Sequence, residues 1–180
     1  MVNLEQYLVN DQINLIQIYI CPTIQNTNNT NDDLLKIKIA WTLPPKFITP
    51  IIKKQPVEYH IYHYQDMAYI YDISNDSQKV IKNVLYNDDF IKNTNNTLYI
   101  QSIKEDTLPC HRFPCISQIA TKTVIKRWTQ KINNRITINI DQEQDKQNES
   151  GYSIYITYNH NTNVDLKTMQ TDLDKFIINS

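Results

Sequence analysis

Two cysteines and a histidine stand close together in the run Leu108-Pro109-Cys110-His111-Arg112-Phe113-Pro114-Cys115-Ile116, side chains suited to covalent chemistry. Downstream, Ile116, Ile119, Ala120, Val124, Ile125, Trp128 and Ile132 recur at the three-to-four spacing of one helix face, which predicts a helix over 116–132. Cys115 then lies at the helix N-terminus, with Pro114 holding the approach extended. The unpaired N–H groups and positive dipole end there favour an anion, so a thiol with a reference pKa of about 8.5 shifts toward the nucleophilic thiolate. Such a thiolate attacks an activated carbonyl and forms a thioester that an amine can open. Cys110 has only His111 and Arg112 to acidify it and no helix directly downstream, so Cys115 is the expected nucleophile. Two other readings use the same residues. A free cysteine often serves as a small buried hydrophobe. Cys110, His111 and Cys115 could also belong to a zinc site, but their spacing matches no common finger, and a fourth ligand would have to come from Cys21, His60, His63 or His160. No metal and no cofactor is expected.

Pro109 and the Phe113-Pro114-Cys115 run, followed by Lys126-Arg127-Trp128, resemble the active-site segment of the autophagy-related protein 10 family. In these ubiquitin-like-conjugating enzymes a His-Pro-Cys motif precedes a helix carrying a tryptophan. Upstream, Val57-Glu58-Tyr59-His60-Ile61-Tyr62-His63-Tyr64 and then Met67 to Ile73 resemble that family's strand pair written around Glu-Tyr-His, so the resemblance runs over residues 33–140. It implies an α+β fold, a ubiquitin-conjugating-enzyme-like antiparallel sheet with flanking helices. Cys115 would accept the C-terminal glycine of the ubiquitin-like protein Atg twelve from an activating enzyme and pass it to a lysine of autophagy protein five. Tyr59 would orient the reacting groups. Phe113 replaces a hydrogen-bonding residue of many relatives, and helix N–H groups, Tyr59 or His111 would have to meet the oxyanion instead. The implied partners are the ubiquitin-like protein, its activating enzyme and the acceptor protein. The implied address is the cytoplasm and the preautophagosomal structure. Alternatives are a non-catalytic scaffold of the same fold, the autophagy lipid-conjugating carrier, and an unrelated binding domain.

Around this segment the chain reads as follows. Residues 3–9 suit one or two helical turns. Ile13 to Ile24 and Leu34 to Leu43 read as strands separated by the polar run 25–33. Val57 to Tyr64 and Ala68 to Ile73 form a hairpin turning at Gln65-Asp66, and Glu58, His60, Tyr62 and Tyr64 share one face opposite Tyr59, Ile61 and His63. Ser77 to Tyr86, with Val80, Ile81, Val84 and Leu85, suits a short helix capped by Ser77. Leu98 to Ile103, Arg135 to Ile140 and Tyr152 to Tyr158 read as strands, and Asp165 to Ile178 as an amphipathic helix. Lys122, Lys126, Arg127 and Lys131 would form a basic stripe on the helix after Cys115.

Length and composition bound this reading. With 180 residues, 41% of them hydrophobic, the chain suits one globular domain over 1–180, with an extension of unclear role from about residue 141. A net charge of −1 gives no global pull toward nucleic acid or an anionic membrane. No segment has the apolar length of a membrane-spanning helix, and the N-terminus lacks a signal-type core, so an intracellular protein is expected. Three cysteines is an odd count for a disulfide framework.

Overall fold

Isoleucine at every second position builds the main wall of this molecule. On β1 (Leu15–Cys21), Ile16, Ile18 and Ile20 alternate with Gln17 and Tyr19; on β7 (Ile136–Gln144), Ile136, Ile138 and Ile140 alternate with Thr137, Asn139 and Asp141. On β8 (Glu149–Asn159), Ile154 and Ile156 alternate with Tyr155 and Thr157. A strand sends successive side chains to opposite faces, so each of these has one apolar and one polar side. The remaining strands are β2 (Val57–Tyr64), β3 (Met67–Asp72), β4 (Ser77–Lys92), β5 (Thr97–Leu108) and β6 (Thr121–Lys131). The computed structural model describes residues 3–8, 10–22, 40–92, 96–109, 121–144 and 149–159, with Lys167, Thr171 and Asp174 beyond them.

The strands close into one antiparallel barrel in the order β1-β5-β4-β3-β2-β6-β7-β8, with β8 returning to β1. The polar side faces in. Directly opposed residues share a face, so the register carries an inward ring from strand to strand. Gln17 opposes Gln101 and Thr157, Tyr19 opposes Tyr99 and Tyr155, and Arg127 opposes Asp141. Tyr59 opposes Asp72 and Ile125, and Ile70 opposes Lys79. A bulge between Leu85 and Asn87 shifts β4 against β5, so that Asp88 opposes Gln101 and Phe90 opposes Tyr99.

The hydrophobic core therefore lies outside the barrel. Ile16, Ile18, Ile20, Ile136, Ile138, Ile140, Ile154 and Ile156 are buried beneath segments that lie on the outer wall. Those segments are a 3-10 turn at Leu4–Tyr7 and a second turn, Lys46–Ile48, that runs into the short helix α1 (Thr49–Ile52); they contribute Leu4, Tyr7, Ile48 and Ile51. Trp128, pointing outward from β6, joins the same cluster and donates its indole N–H to the Lys54 carbonyl at 2.8 Å. Trp41 bridges to Tyr152 and donates to the Ile20 carbonyl at 2.8 Å. The chain's single glycine permits that approach, since a Cβ on Gly151 would stand 2.7 Å from the Trp41 carbonyl oxygen.

This architecture overturns the α+β, ubiquitin-conjugating-like expectation. Residues 121–131, expected as part of a helix after Cys115, form β6, and Ser77 to Tyr86, expected as a helix, belongs to the long strand β4. Both stretches place apolar residues on the two faces of one strand, Val80 outward with Ile81 inward and Val124 outward with Ile125 inward. Adjacent apolar pairs of this kind mimic helical spacing. The hairpin of β2 and β3 stands where the sequence placed it, with Gln65 at φ 54° in its turn. Of the expected strand at 34–43, residues 34–39 lie outside the described residues and 40–43 form only the isolated bridge of Trp41 to Tyr152, and the expected C-terminal helix is described only at its helical positions Lys167, Thr171 and Asp174.

Candidate functional site

A cavity of about 440 Å³ occupies the barrel, and all eight strands line it. Its wall mixes aliphatic side chains (Leu15, Ile61, Ile70, Ile81) with amides and hydroxyls from Gln17, Asn83, Asn139, Thr157 and Asn159. The charged lining is Lys79, Glu105, Arg127 and Asp141, with His63 beside them. A smaller cavity of about 180 Å³ shares Ile70, Lys79 and Arg127 with the first and adds Tyr59, Asp72, Ser77 and Gln78. Eight-stranded barrels have about enough interior to hold one small ligand or to be filled by their own side chains. Here the space is left open.

Arg127 is the most strongly fixed group in it. Because β6 and β7 place it opposite Asp141, its Nε donates to Asp141 Oδ1 at 2.7 Å and its Nη2 to Oδ2 at 2.8 Å. Tyr155 donates to the same Oδ2 at 3.1 Å. The guanidinium carbon lies 5.2 Å from the Tyr59 ring centre and 5.9 Å from that of Tyr155, within cation–π range. Burial works against the charge of Arg127, but the Asp141 hydrogen bonds and the neighbouring negative field outweigh it and raise its pKa above the usual arginine value. Burial, then Asp141, pushes the Tyr155 hydroxyl well above its ordinary range, and the same two causes push Tyr19 up to about 12. Both phenols stay neutral donors. The Nη1 edge of Arg127 makes no hydrogen bond to a described residue and is not sealed in the wall.

Aromatic rings continue around the inner wall. Tyr19 lies 5.1 Å from Tyr155 and 6.0 Å from Tyr99, which stacks on Phe90 at 4.5 Å. Tyr99 donates to Asp88 Oδ2 at 2.7 Å. Asn139 is held between Thr129 and Thr157, accepting from the first and donating to the second at 3.1 Å each. Lys79, by contrast, makes no ion pair with any described residue, though it lines both cavities.

The donor set of the described residues does not fit a divalent cation held by the protein. Hard cations take several oxygen ligands with carboxylates prominent among them. Among the described residues no three His, Cys, Asp or Glu side chains come together at one point. Of the carboxylates lining the cavities, Asp141 spends both oxygens on Arg127 and Tyr155, and Asp72 accepts from the Ser74 and Asn75 N–H groups and the Asn75 amide. Glu105 alone keeps its carboxylate free of a hydrogen bond to the described residues.

Of the sequence-predicted site, only Tyr59 belongs to the described residues. Cys110, His111, Phe113 and Cys115 lie outside the described residues. Tyr59 points into the barrel, beside Arg127 rather than beside a cysteine that the described residues show. Cys21 is buried, and burial pushes its thiol up to about 12, which disfavours the thiolate. The expected basic stripe is split, since Lys122 and Lys126 oppose the outward Tyr62 and Glu58 while Arg127 turns into the barrel. Lys79, Asp141, Tyr19 and Tyr155 were not singled out from sequence. Their signal was the polar residue at every second position opposite isoleucine, which shows that a strand has two unlike faces but not which one closes around a lumen.

No protein-family profile and no curated protein matches this sequence. Solved structures do. The chain is similar to the Pct1 RNA triphosphatase of S. pombe, with TM-score 0.58 and 10% identity over 87% of this chain and 76% of that one. It is also similar to Pct1 solved in complex with the Spt5 CTD, with TM-score 0.59 and 12% identity over 95% and 80% of the two chains. The Mimivirus capping enzyme triphosphatase matches with TM-score 0.52 and 14% identity over 97% and 92%. This chain has the RNA triphosphatase fold. The resemblance to the autophagy-related protein 10 family is thereby overturned, along with the cysteine-carrier transferase activity and its partners, the ubiquitin-like protein, its activating enzyme and the acceptor. The short motifs behind that resemblance lie on strands of a closed barrel, or outside the described residues, rather than on a sheet-and-helix carrier.

Proposed function

We propose that this protein takes the 5′-triphosphate end of an RNA into its barrel and serves in RNA 5′-end metabolism. The ligand class comes from the fold it shares with RNA triphosphatases. The observation that supports it in this chain is the pairing of Lys79, without an ion-pair partner among the described residues, with the open Nη1 edge of Arg127, on one cavity. A phosphate chain is met well by a mobile ammonium and a fixed planar guanidinium. Neutral amides from Gln17, Asn83 and Asn159 add donors along the same wall without adding negative charge. The near-neutral overall charge argued against nucleic acid from sequence, but the cations that matter here are local and inward-facing.

The test is fluorescence anisotropy with two RNAs of one sequence, ending in a 5′-triphosphate or a 5′-hydroxyl. The triphosphate should bind more tightly, and Lys79→Met should remove about ten- to a hundredfold of that preference, the worth of one charged hydrogen bond. Equal affinity for the two ends would sink the proposal.

A further inference from the structure

Resting on the reading above, we infer that the barrel holds a triphosphate as a ligand and leaves its anhydride bonds intact, binding it without a divalent cation. Hydrolysis of a terminal phosphate needs the charge on its equatorial oxygens neutralised in line with an oriented water, work commonly shared between bound metal ions and arginine or lysine. This lumen lacks the first half of that arrangement among its described residues. Asp72 and Asp141 are each engaged by three of the hydrogen bonds that shape the wall, and among the described residues no three His, Cys, Asp or Glu side chains gather around Glu105 or anywhere else to hold a cation.

The second half is present, in Lys79 and in the part of Arg127 that Asp141 leaves open. Arg127 donates its Nε N–H and one Nη2 N–H to Asp141 and shares its charge with it, which leaves Nη1 and the second Nη2 N–H for a phosphate. A guanidinium fixed by a carboxylate and flanked by two tyrosine rings is suited to positioning a resting anion. Magnesium bound to the triphosphate would screen the ligand from Lys79 and Arg127 while gaining little from the protein. Divalent cations should therefore leave binding unchanged or weaken it.

The experiment uses the full chain with 5′-triphosphorylated RNA in excess magnesium, in excess manganese and in a chelator, and reads both anisotropy and released inorganic phosphate. The expected result is retained affinity in the chelator, equal to or tighter than that in either metal, with phosphate release at the level of buffer. Metal-dependent phosphate release at enzyme-like turnover, lost in Glu105→Gln, would overturn this inference while leaving the triphosphate-binding reading in place. Binding that requires the metal would also overturn it. Failure to distinguish triphosphate from hydroxyl ends in any condition would overturn the underlying reading, and this inference with it.

Discussion

At the scale of single residues, Arg127 and Asp141 set the chemistry of the lumen and oppose each other's availability. Asp141→Asn keeps the size of the side chain but removes the charge that holds the guanidinium. With 23% and 17% of the two side chains accessible, the pair is mostly desolvated, so its loss should cost about 3 kcal/mol, the low end for breaking a buried ion pair. The same change frees two donors of Arg127 and removes a negative charge from the cavity. Stability measured by urea denaturation should therefore fall while affinity for triphosphate RNA rises. A parallel loss of both would mean that Arg127 needs its partner to reach the ligand at all. Sequence reasoning touched Arg127, but as one of four basic residues on an expected helix. On a helix it would have shared a face with Lys122 and Lys126; on β6, odd and even positions part, which takes Arg127 inward and leaves the two lysines outside.

At the scale of elements, legibility followed how unlike the two faces of each strand are. β7 and β8 alternate isoleucine with polar residues, and both were readable; β2 and β3 were readable from their β-branched and aromatic content and the turn between them. β4 and β6 were misread because their inner faces carry Ile81 and Ile125 next to outward Val80 and Val124, so the period of two dissolves locally. The closure of the barrel was not legible, since pairing of β1 with both β5 and β8 depends on contacts far apart in sequence. Gly151 shows how tightly the outer layer is then fitted. It is the place where Trp41 docks on β8, with Ala40 Cβ only 3.0 Å from where a Cβ would be. The obstacle is backbone, which cannot swing aside like a flexible side chain. Gly151→Ala should cost about 1–3 kcal/mol, the usual price of overpacking, and should lower the thermal midpoint without altering the lumen. An unchanged midpoint would show that the 40–41 segment lifts away at little cost.

At the scale of the whole molecule, the fold is turned inside out relative to a barrel stabilised by its interior. Stability comes from the outer wall and its covering segments, and the lumen is left free for polar groups that work against burial of charge. Tyr19 and Tyr155 tie these two requirements together, because the half-buried Tyr19 and the buried Tyr155 stand in the inner wall near Asp141 and both have pKa values raised above an ordinary tyrosine's, by burial first and then by Asp141. The direction of the resulting pH dependence follows from linkage. A phenol whose pKa is raised on folding keeps its proton more firmly in the folded state, so its contribution is complete below the unfolded value of 10.0 and is lost as pH climbs toward about 12. Stability should therefore decline through that alkaline window, more steeply than in a Tyr19→Phe variant, which has no proton to lose at that position. Tyrosinate absorbance followed alongside circular dichroism provides the check. Two classes of tyrosine should appear, the exposed ones titrating first and the inner-wall ones only as the barrel opens. If all of the tyrosinate signal developed before any loss of structure, the inner phenols would be ionising in the intact barrel, and burial and the Asp141 charge would not be holding their protons.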